Sequence, residues 1–397
     1  MNRRIYSFFL FLFSHFLIHS QGQFNNWYFG TAGLNFFGAN PTLLTNSAMA
    51  ASEGSASISD KAGNLLFYTD GIYVWDKTHQ KMPNGNGLYG SGSTTQSAVI
   101  VPMPGTTEQY YIFTADEEGK TNGLCYSIVD MKLNSGLGDI YVKNIPLHTP
   151  TTEKITAAKH RNGCDIWIIS HKWESDNFYA YLVSSAGVSS PVISATGRFH
   201  GASSDVKSPI GYMKISPQGN KLAVGEVVDF FSTSSIELFD FNNSTGTVTN
   251  PMALTTTFWQ TYGCEFSPNG NLLYGSSLGR VYQFDISSGS LATINASRIN
   301  VGQTGNSVGA LQIAPNGKIY QSRSSGFLNV INSPNVVGTG CNFVGNAVSL
   351  SNKMAIMGLP SFINSWVNAS PGDITVKDSC EGSLTAFGLT DTVGVIG

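Results

Sequence analysis

"EFSPNGNLLYGS", residues 265–276, is an apolar run, a Pro-Asn-Gly step and a second apolar run. Proline has no N–H to give a ladder and glycine tolerates positive φ, so the step reads as a hairpin turn between two strands. "KISPQGNKLAVG" (214–225) and "QIAPNGKIYQS" (312–322) repeat the pattern closely. "SISDKAGNLLFY" (57–68), "VIVPMPGTTEQYYIF" (99–113) and "AAKHRNGCDIWIIS" (157–170) are looser copies. The turn glycines Gly63, Gly105, Gly163, Gly219, Gly270 and Gly317 are spaced by 42, 58, 56, 51 and 47 residues, near the length of a four-stranded propeller blade. After each copy comes a third strand, such as "GIYVWD" (71–76) or "RVYQFD" (280–285). Its alternation of aromatic and β-branched residues marks a half-buried strand. No stretch reads as a helix of three turns, so the chain is all-β.

The innermost strands extend the count. Six of them open the copies, from "EGSASIS" (53–59) to "VGALQIA" (308–314), and a seventh, "MGLPSFIN" (357–364), has no second and third strands after it. "WYFGTAGLNFF" (27–37) offers the missing pair at the other end of the chain, with Thr31 and Gly33 in register with Thr69 and Gly71 of the first full repeat. A closed ring has no free sheet edge, and N-terminal strands set into the last blade lock it. Residues 24–366 are therefore expected to form a seven-bladed β-propeller closed by its N-terminal strands. Six blades stay open as an alternative, since loop-rich segments such as 185–209 conceal their strands. Small inner-strand residues such as Gly54, Ser97, Gly263 and Gly358 suit a crowded axis.

Composition narrows the function classes. Of 397 residues only 12% are charged, half the usual share, and the net charge is −3 with no basic stripe. That argues against nucleic acid or anionic lipid as a partner. Residues 1–22 read as a secretory signal peptide, with Arg3-Arg4, an apolar run from Ile5 to Ile18, and Ser20 and Gly22 before the cut. A secreted or cell-surface location follows, with no membrane span once the leader is removed. The five cysteines show neither C-x-x-C pairing nor zinc-like spacing. Export permits disulfides, an odd count leaves one unpaired within the chain, and burial as small apolar residues is the plainer reading. Residues 367–397 read as a linker followed by the start of an incomplete immunoglobulin-like or PKD-like domain, too short to bury a core.

The S-P-N/D-G-x-x-L-Y pattern at 267–274 resembles WD40-like (PD40) propeller repeats. "NWYFGTAGLNF", "EGSASISDKAGNLLFYTDGIYVWD", "MPNGNGL" (82–88), "STTQSAVIVPMPG" and "TPTTEKITAAKH" are similar to a narrower group. That group is the N-terminal propeller of bacterial type IX secretion, gliding-motility-associated surface proteins. The resemblance implies downstream PKD or immunoglobulin-like repeats and contact with the secretion machinery. It brings no catalytic residues.

Propellers bind ligands over the face where inner strands begin and the second-to-third-strand loops gather. Glu53, Gln96, Glu153, Lys154, Tyr212 and Tyr262 are expected to ring that channel mouth, with Asp70, His171 and Trp173 contributed by loops. Carboxylates, a lysine and aromatics could hold a sugar by hydrogen bonds and stacking. Equally, Glu53 and Glu153 could cap strand starts and Lys154 pair locally. His160, His171 and His200 lack H-x-x-x-H spacing and give no metal site. "DEEGKTNG" (116–123) could hold Ca²⁺ but lacks alternating ligands, and a solvated loop serves as well. No cofactor motif is present. The sequence thus points to a non-catalytic binding or adhesion module for extracellular polysaccharide or a surface protein. A propeller enzyme acting on glycans or lactones, and a structural cap, are the alternatives.

Overall fold

The computed structural model describes residues 22–202, 209–227, 235–255, 261–303, 305, 308–367, 374–377 and 386–389. Each Pro-x-Gly or related step closes a turn. The N–H of Gly270 donates to the Ser267 carbonyl at 2.9 Å, and Gly219 and Gly317 do the same to Ser216 and Ala314 at 2.8 and 2.9 Å. All six turn glycines have positive φ, between 71 and 89°. That places a left-handed residue at the end of the turn, where glycine alone is unstrained.

The strands flanking these six turns build six antiparallel sheets, and the N-terminal strands add a seventh, in a propeller arrangement. Blade one comprises Ala56–Ser59, Leu65–Thr69, Tyr73–Asp76 and Lys81–Asn86, and blade two Ala98–Pro102, Gln109–Ala115, Leu124–Asp130 and Asp139–His148. Blade three runs Thr151–Lys159, Ile166–Lys172, Ser175–Ser184, Gly187–Val188 and Val192–His200, with the last pairing on Ser175–Ser184. Met213–Ile215, Lys221–Gly225, Ser235–Asn242 and Thr247–Thr255 form blade four. Gly263–Phe266, Leu272–Ser277, Arg280–Asp285 and Ile299–Gln303 form blade five, and Leu311–Ile313, Ile319–Gln321, Phe327–Ile331 and Phe343–Ser349 blade six. The fourth strands lie beyond the three that the repeats make legible. Between the blades, side chains from facing sheets form a continuous apolar core that includes Trp27, Phe67, Phe113, Ile168, Phe266 and Tyr320.

Blade seven is the joint. Asn26–Phe29, Ala32–Asn35 and Thr42–Leu44 form its sheet, so "WYFGTAGLNFF" does close the ring, and Thr42–Leu44 adds an outer strand. "MGLPSFIN" differs from expectation: instead of a laddered strand it makes a single parallel bridge, Ser55 with Pro360. Pro360 cannot donate to a ladder, and the segment is held otherwise. Phe362 packs on Trp27 and Phe24 with centroids 5.7 and 5.1 Å apart. Thr31 N–H donates to the Met354 carbonyl at 3.0 Å.

Where the inner strands begin, backbone hydrogen bonds run from blade to blade. Gly54 donates to Thr94 (3.0 Å), Gln96 to Glu153 (3.1 Å), Glu153 to Pro209 (3.1 Å) and Tyr212 to Tyr262 (2.7 Å). Ala310 then donates to Met357 (2.8 Å) and Met357 to Ser52 (3.1 Å), which brings the chain of bonds back to blade one. Backbones this close leave no room for a side chain: a Cβ on Gly358 would lie 1.9 Å from the Glu53 carbonyl oxygen.

Among the described residues, Cys125, Cys264 and Cys341 are free and buried, while Cys164 is disulfide-bonded. No helix among them is long and apolar enough to cross a membrane. Ile374–Lys377 and Ala386–Leu389 pair as an antiparallel hairpin. Of the expected leader 1–22 only Gly22 is described, and of the expected tail 367–397 only Val367 and these two strands, the rest of both lying outside the described residues.

Candidate functional site

Six of the expected residues meet where the inner strands begin, and they bond to one another's blades. Tyr262 of blade five donates its hydroxyl to Glu53 Oε2, next to blade one, at 2.8 Å. Thr95 gives its N–H (2.9 Å) and its hydroxyl (2.8 Å) to Glu153 Oε2. Lys154 Nζ donates to the carbonyls of Pro209 (2.9 Å) and Ile210 (2.7 Å), before blade four. Gln96 accepts from the Met213 N–H at 2.7 Å and returns a bond to the Met213 carbonyl at 3.2 Å. The Tyr212 hydroxyl accepts from Leu359 N–H at 3.1 Å and donates to its carbonyl at 3.2 Å.

Gln96, Glu153, Lys154, Tyr212 and Tyr262 are buried, and only Glu53 keeps a share of solvent. Removal from water disfavours the charged forms. Burial pushes the Glu53 carboxyl up to about 7, against the Tyr262 hydrogen bond, and the charge of Glu153 adds to the rise. Burial likewise raises Glu153, opposed by its bonds from Thr95. The Lys154 ammonium is held down at about 8 by burial, against the pull of Glu153 and Glu226. A second buried polar layer crosses the axis beyond this one, and sequence reasoning did not find it. Lys214 pairs with Glu265 at 3.4 Å and bonds Gln312, and Asn364 Nδ2 donates to Glu265 Oε1 at 2.7 Å.

The other three expected residues stand apart from this ring. Asp70 shapes its own loop, accepting at Oδ1 from the N–H groups of Ile72 (2.9 Å) and Tyr73 (2.8 Å). Trp173 is half-buried, and its ring lies so close to Gly119 that a Cβ there would meet Cδ1 at 2.2 Å. His171, near the end of Ile166–Lys172, is fully buried, and its Nδ1 lies 3.0 Å from the Lys172 carbonyl. Burial, and then the nearby His200 and Lys154, hold the His171 imidazolium form well below its ordinary range.

His171 and His200, which no spacing linked, have ring centroids 4.2 Å apart. They lie at the seam of blades three and four. His200, Glu226 and Glu237 are all buried there, with potential ligand atoms within 4.8 Å of one another. Arg198 Nη1 donates to Glu226 Oε2 at 2.9 Å, and the Arg198 N–H donates to Glu237 Oε2 at 3.2 Å. Burial and the charge of Glu226 push Glu237 up to about 8. Neither glutamate was anticipated. His160 lies elsewhere, with Nε2 3.1 Å from the Ser244 carbonyl. In the acidic loop, Asp116 accepts from the N–H groups of Glu117 and Asn122 at 2.9 and 3.1 Å. Glu117 there binds Lys120 and the Ser91 hydroxyl.

No protein-family model matches the chain, and no curated protein is similar to it. Among solved structures, a protein from Lactobacillus plantarum is 13% identical, covering 85% of this chain and 99% of its own, with a TM-score of 0.48. A functionally unknown protein from Desulfotomaculum acetoxidans is 12% identical over 86% of this chain and 89% of that one, with a TM-score of 0.43. A protein from Bacteroides uniformis, provisionally named a 6-phosphogluconolactonase, is 14% identical over 82% and 87%, with a TM-score of 0.38. No activity passes from these proteins to this chain.

Proposed function

We propose that this propeller is a secreted, surface-displayed, non-catalytic binding module for an extracellular polysaccharide or surface protein. The observation that carries the reading is the cross-bonding of the axial ring. Lys154, Glu153, Gln96 and Tyr212 spend hydrogen bonds on neighbouring blades, which makes them scaffold and leaves a face of fixed shape. A fixed face loses little entropy on binding. Trp173, propped on Gly119, offers a half-exposed indole of the kind that stacks on a sugar. Low surface charge suits a neutral polymer better than a charged one.

The test is a glycan array with the purified chain. Binding that falls at least about tenfold in Trp173→Ala, with thermal stability retained, supports the module. One observation favours the enzyme reading: a carboxyl at about 7, as in Glu53, is poised for proton transfer near neutrality. Turnover of a glycan or lactone, abolished in Glu53→Gln, would establish that reading instead. Silence in both assays would leave the propeller as a structural cap.

A further inference from the structure

The seam between blades three and four holds a cluster that the binding reading does not use. Blade three supplies His171 and His200, and blade four supplies Glu237 with Glu226 directly after Lys221–Gly225. All four are buried. Glu226 Oε1 faces His200 Nε2 at 3.8 Å, its Oε2 accepts from Arg198, and its carboxyl also bonds that of Glu237. In a tetrahedral site with ligand bonds of about 2.0–2.2 Å, neighbouring ligand atoms stand about 3.3–3.6 Å apart. The 3.8 Å gap is close to that, and the ligand atoms of His200, Glu226 and Glu237, which lie within 4.8 Å of one another, must draw together to hold an ion.

His171 supplies a second, independent observation. Its Nδ1 faces the Lys172 carbonyl, which can only accept, so Nδ1 carries the proton and Nε2 the lone pair. Nε2 is buried and has no hydrogen-bond partner. A metal-ligating histidine has this arrangement, one nitrogen fixed by a backbone carbonyl and the other free to coordinate. The ring leans on His200 with centroids 4.2 Å apart. Arg198 meanwhile orients both carboxylates, through its guanidinium to Glu226 and its N–H to Glu237. Its strand can pass this closely because the preceding residue is Gly197, where a Cβ would already lie 3.1 Å from Glu237 Oε2.

We propose that His200, Glu226 and Glu237 form a binding site for one divalent cation of the Zn²⁺ type, clamping blades three and four together, with His171, stacked beside His200, as the fourth ligand drawn in when the ion binds. Two imidazoles and two carboxylates are a donor set for zinc or a similar borderline ion, whereas calcium takes oxygen ligands alone. Binding to the folded state stabilises it in proportion to the logarithm of free metal.

The experiment uses the purified chain stripped with chelator and titrated with Zn²⁺ and, separately, Ca²⁺. Calorimetry and thermal unfolding are the readouts. The expected result is one Zn²⁺ per chain, a melting temperature that climbs with free Zn²⁺, and no response to Ca²⁺. Glu237→Gln keeps the shape and the bond from Arg198 N–H but removes a charged ligand, and His171→Ala removes a nitrogen. Each should weaken Zn²⁺ by more than about tenfold, the loss that disturbing even an outer-shell partner can produce. A folded wild-type chain that takes up no Zn²⁺ would overturn the proposal. So would Zn²⁺ binding that both folded variants retain in full, since the ion would then sit elsewhere. The wild-type titration decides the matter by itself if a variant fails to fold.

Discussion

Glu53 joins the axial ring to solvent, and its protonation should be visible in stability. The groups facing it are the Tyr262 hydroxyl, Glu153, Thr95 and Glu117. In the unfolded chain this carboxyl titrates near 4.5; in the folded chain it titrates near 7. Between those values the folded state holds the extra proton, so stability falls as pH rises. The contribution is complete below about 4.5 and lost as pH climbs through about 7. Urea midpoints measured from pH 5 to pH 8 should therefore decline more in the wild type than in Glu53→Gln, which is neutral throughout. Equal declines would refute the assignment. The identity of the ring residues was legible in the sequence, because polar side chains stand where the inner strands begin. Their partners were not: Tyr262 and Glu53 are 209 positions apart, and no local pattern encodes that pair. Glu237 was hidden for another reason. It lies in "SIELFD" (235–240), whose alternation reads as a solvent-facing polar position, yet the Arg198 N–H of blade three reaches it.

At the scale of the strand and its turn, glycine does two separable jobs. Gly317 ends a hairpin with φ of 73°, and nothing lies within 4 Å of where a Cβ would stand. Gly317→Ala therefore isolates the backbone penalty of a left-handed residue, about 1–2 kcal/mol. Gly309 begins the inner strand of the same blade, and a Cβ there would meet the Ser322 carbonyl oxygen at 2.0 Å. That contact is with backbone and cannot be relieved by a rotamer change, so Gly309→Ala should cost about 3 kcal/mol or more. Chemical denaturation of the two variants checks the order; a Gly317 variant losing as much as the Gly309 one would mean that crowding at the axis is not the stronger constraint. The turns announced the first three strands of each blade because Pro and Gly punctuate them. The fourth strands carry no such mark. "KMPNGN" (81–86) contains Pro83 and Gly85 and reads as a turn, yet it pairs with Tyr73–Asp76 through Tyr73–Asn86 and Trp75–Lys81. An outermost strand tolerates proline because one of its edges needs no ladder.

For the molecule as a whole, the decisive contacts are those that join the two ends of the propeller. Residues 26–35 give blade seven two of its strands and bury Trp27, Phe29 and Leu34 completely. Trp27 touches Phe362 and Tyr320, with centroids 5.7 and 5.8 Å away, so one side chain links the first strand to the closing segment and to blade six. The backbone bonds from Ala310 to Met357 and from Met357 to Ser52 exist only while that segment is in place. Removing residues 24–37 would strip the segment of the sheet it packs on and uncover the apolar faces of blades one and six. Because buried side chains of neighbouring blades pack into shared apolar clusters, the loss cannot stay local. Deletion of 24–37 is therefore expected to lower the thermal transition of the entire propeller and broaden it, with proteolysis reaching blades far from the N-terminus. Trp27→Ala should do the same in smaller measure, about 3–5 kcal/mol, while keeping one cooperative transition. A deletion variant that melts like the wild type, with cleavage confined to blade seven, would show that the ring does not depend on its N-terminal strands.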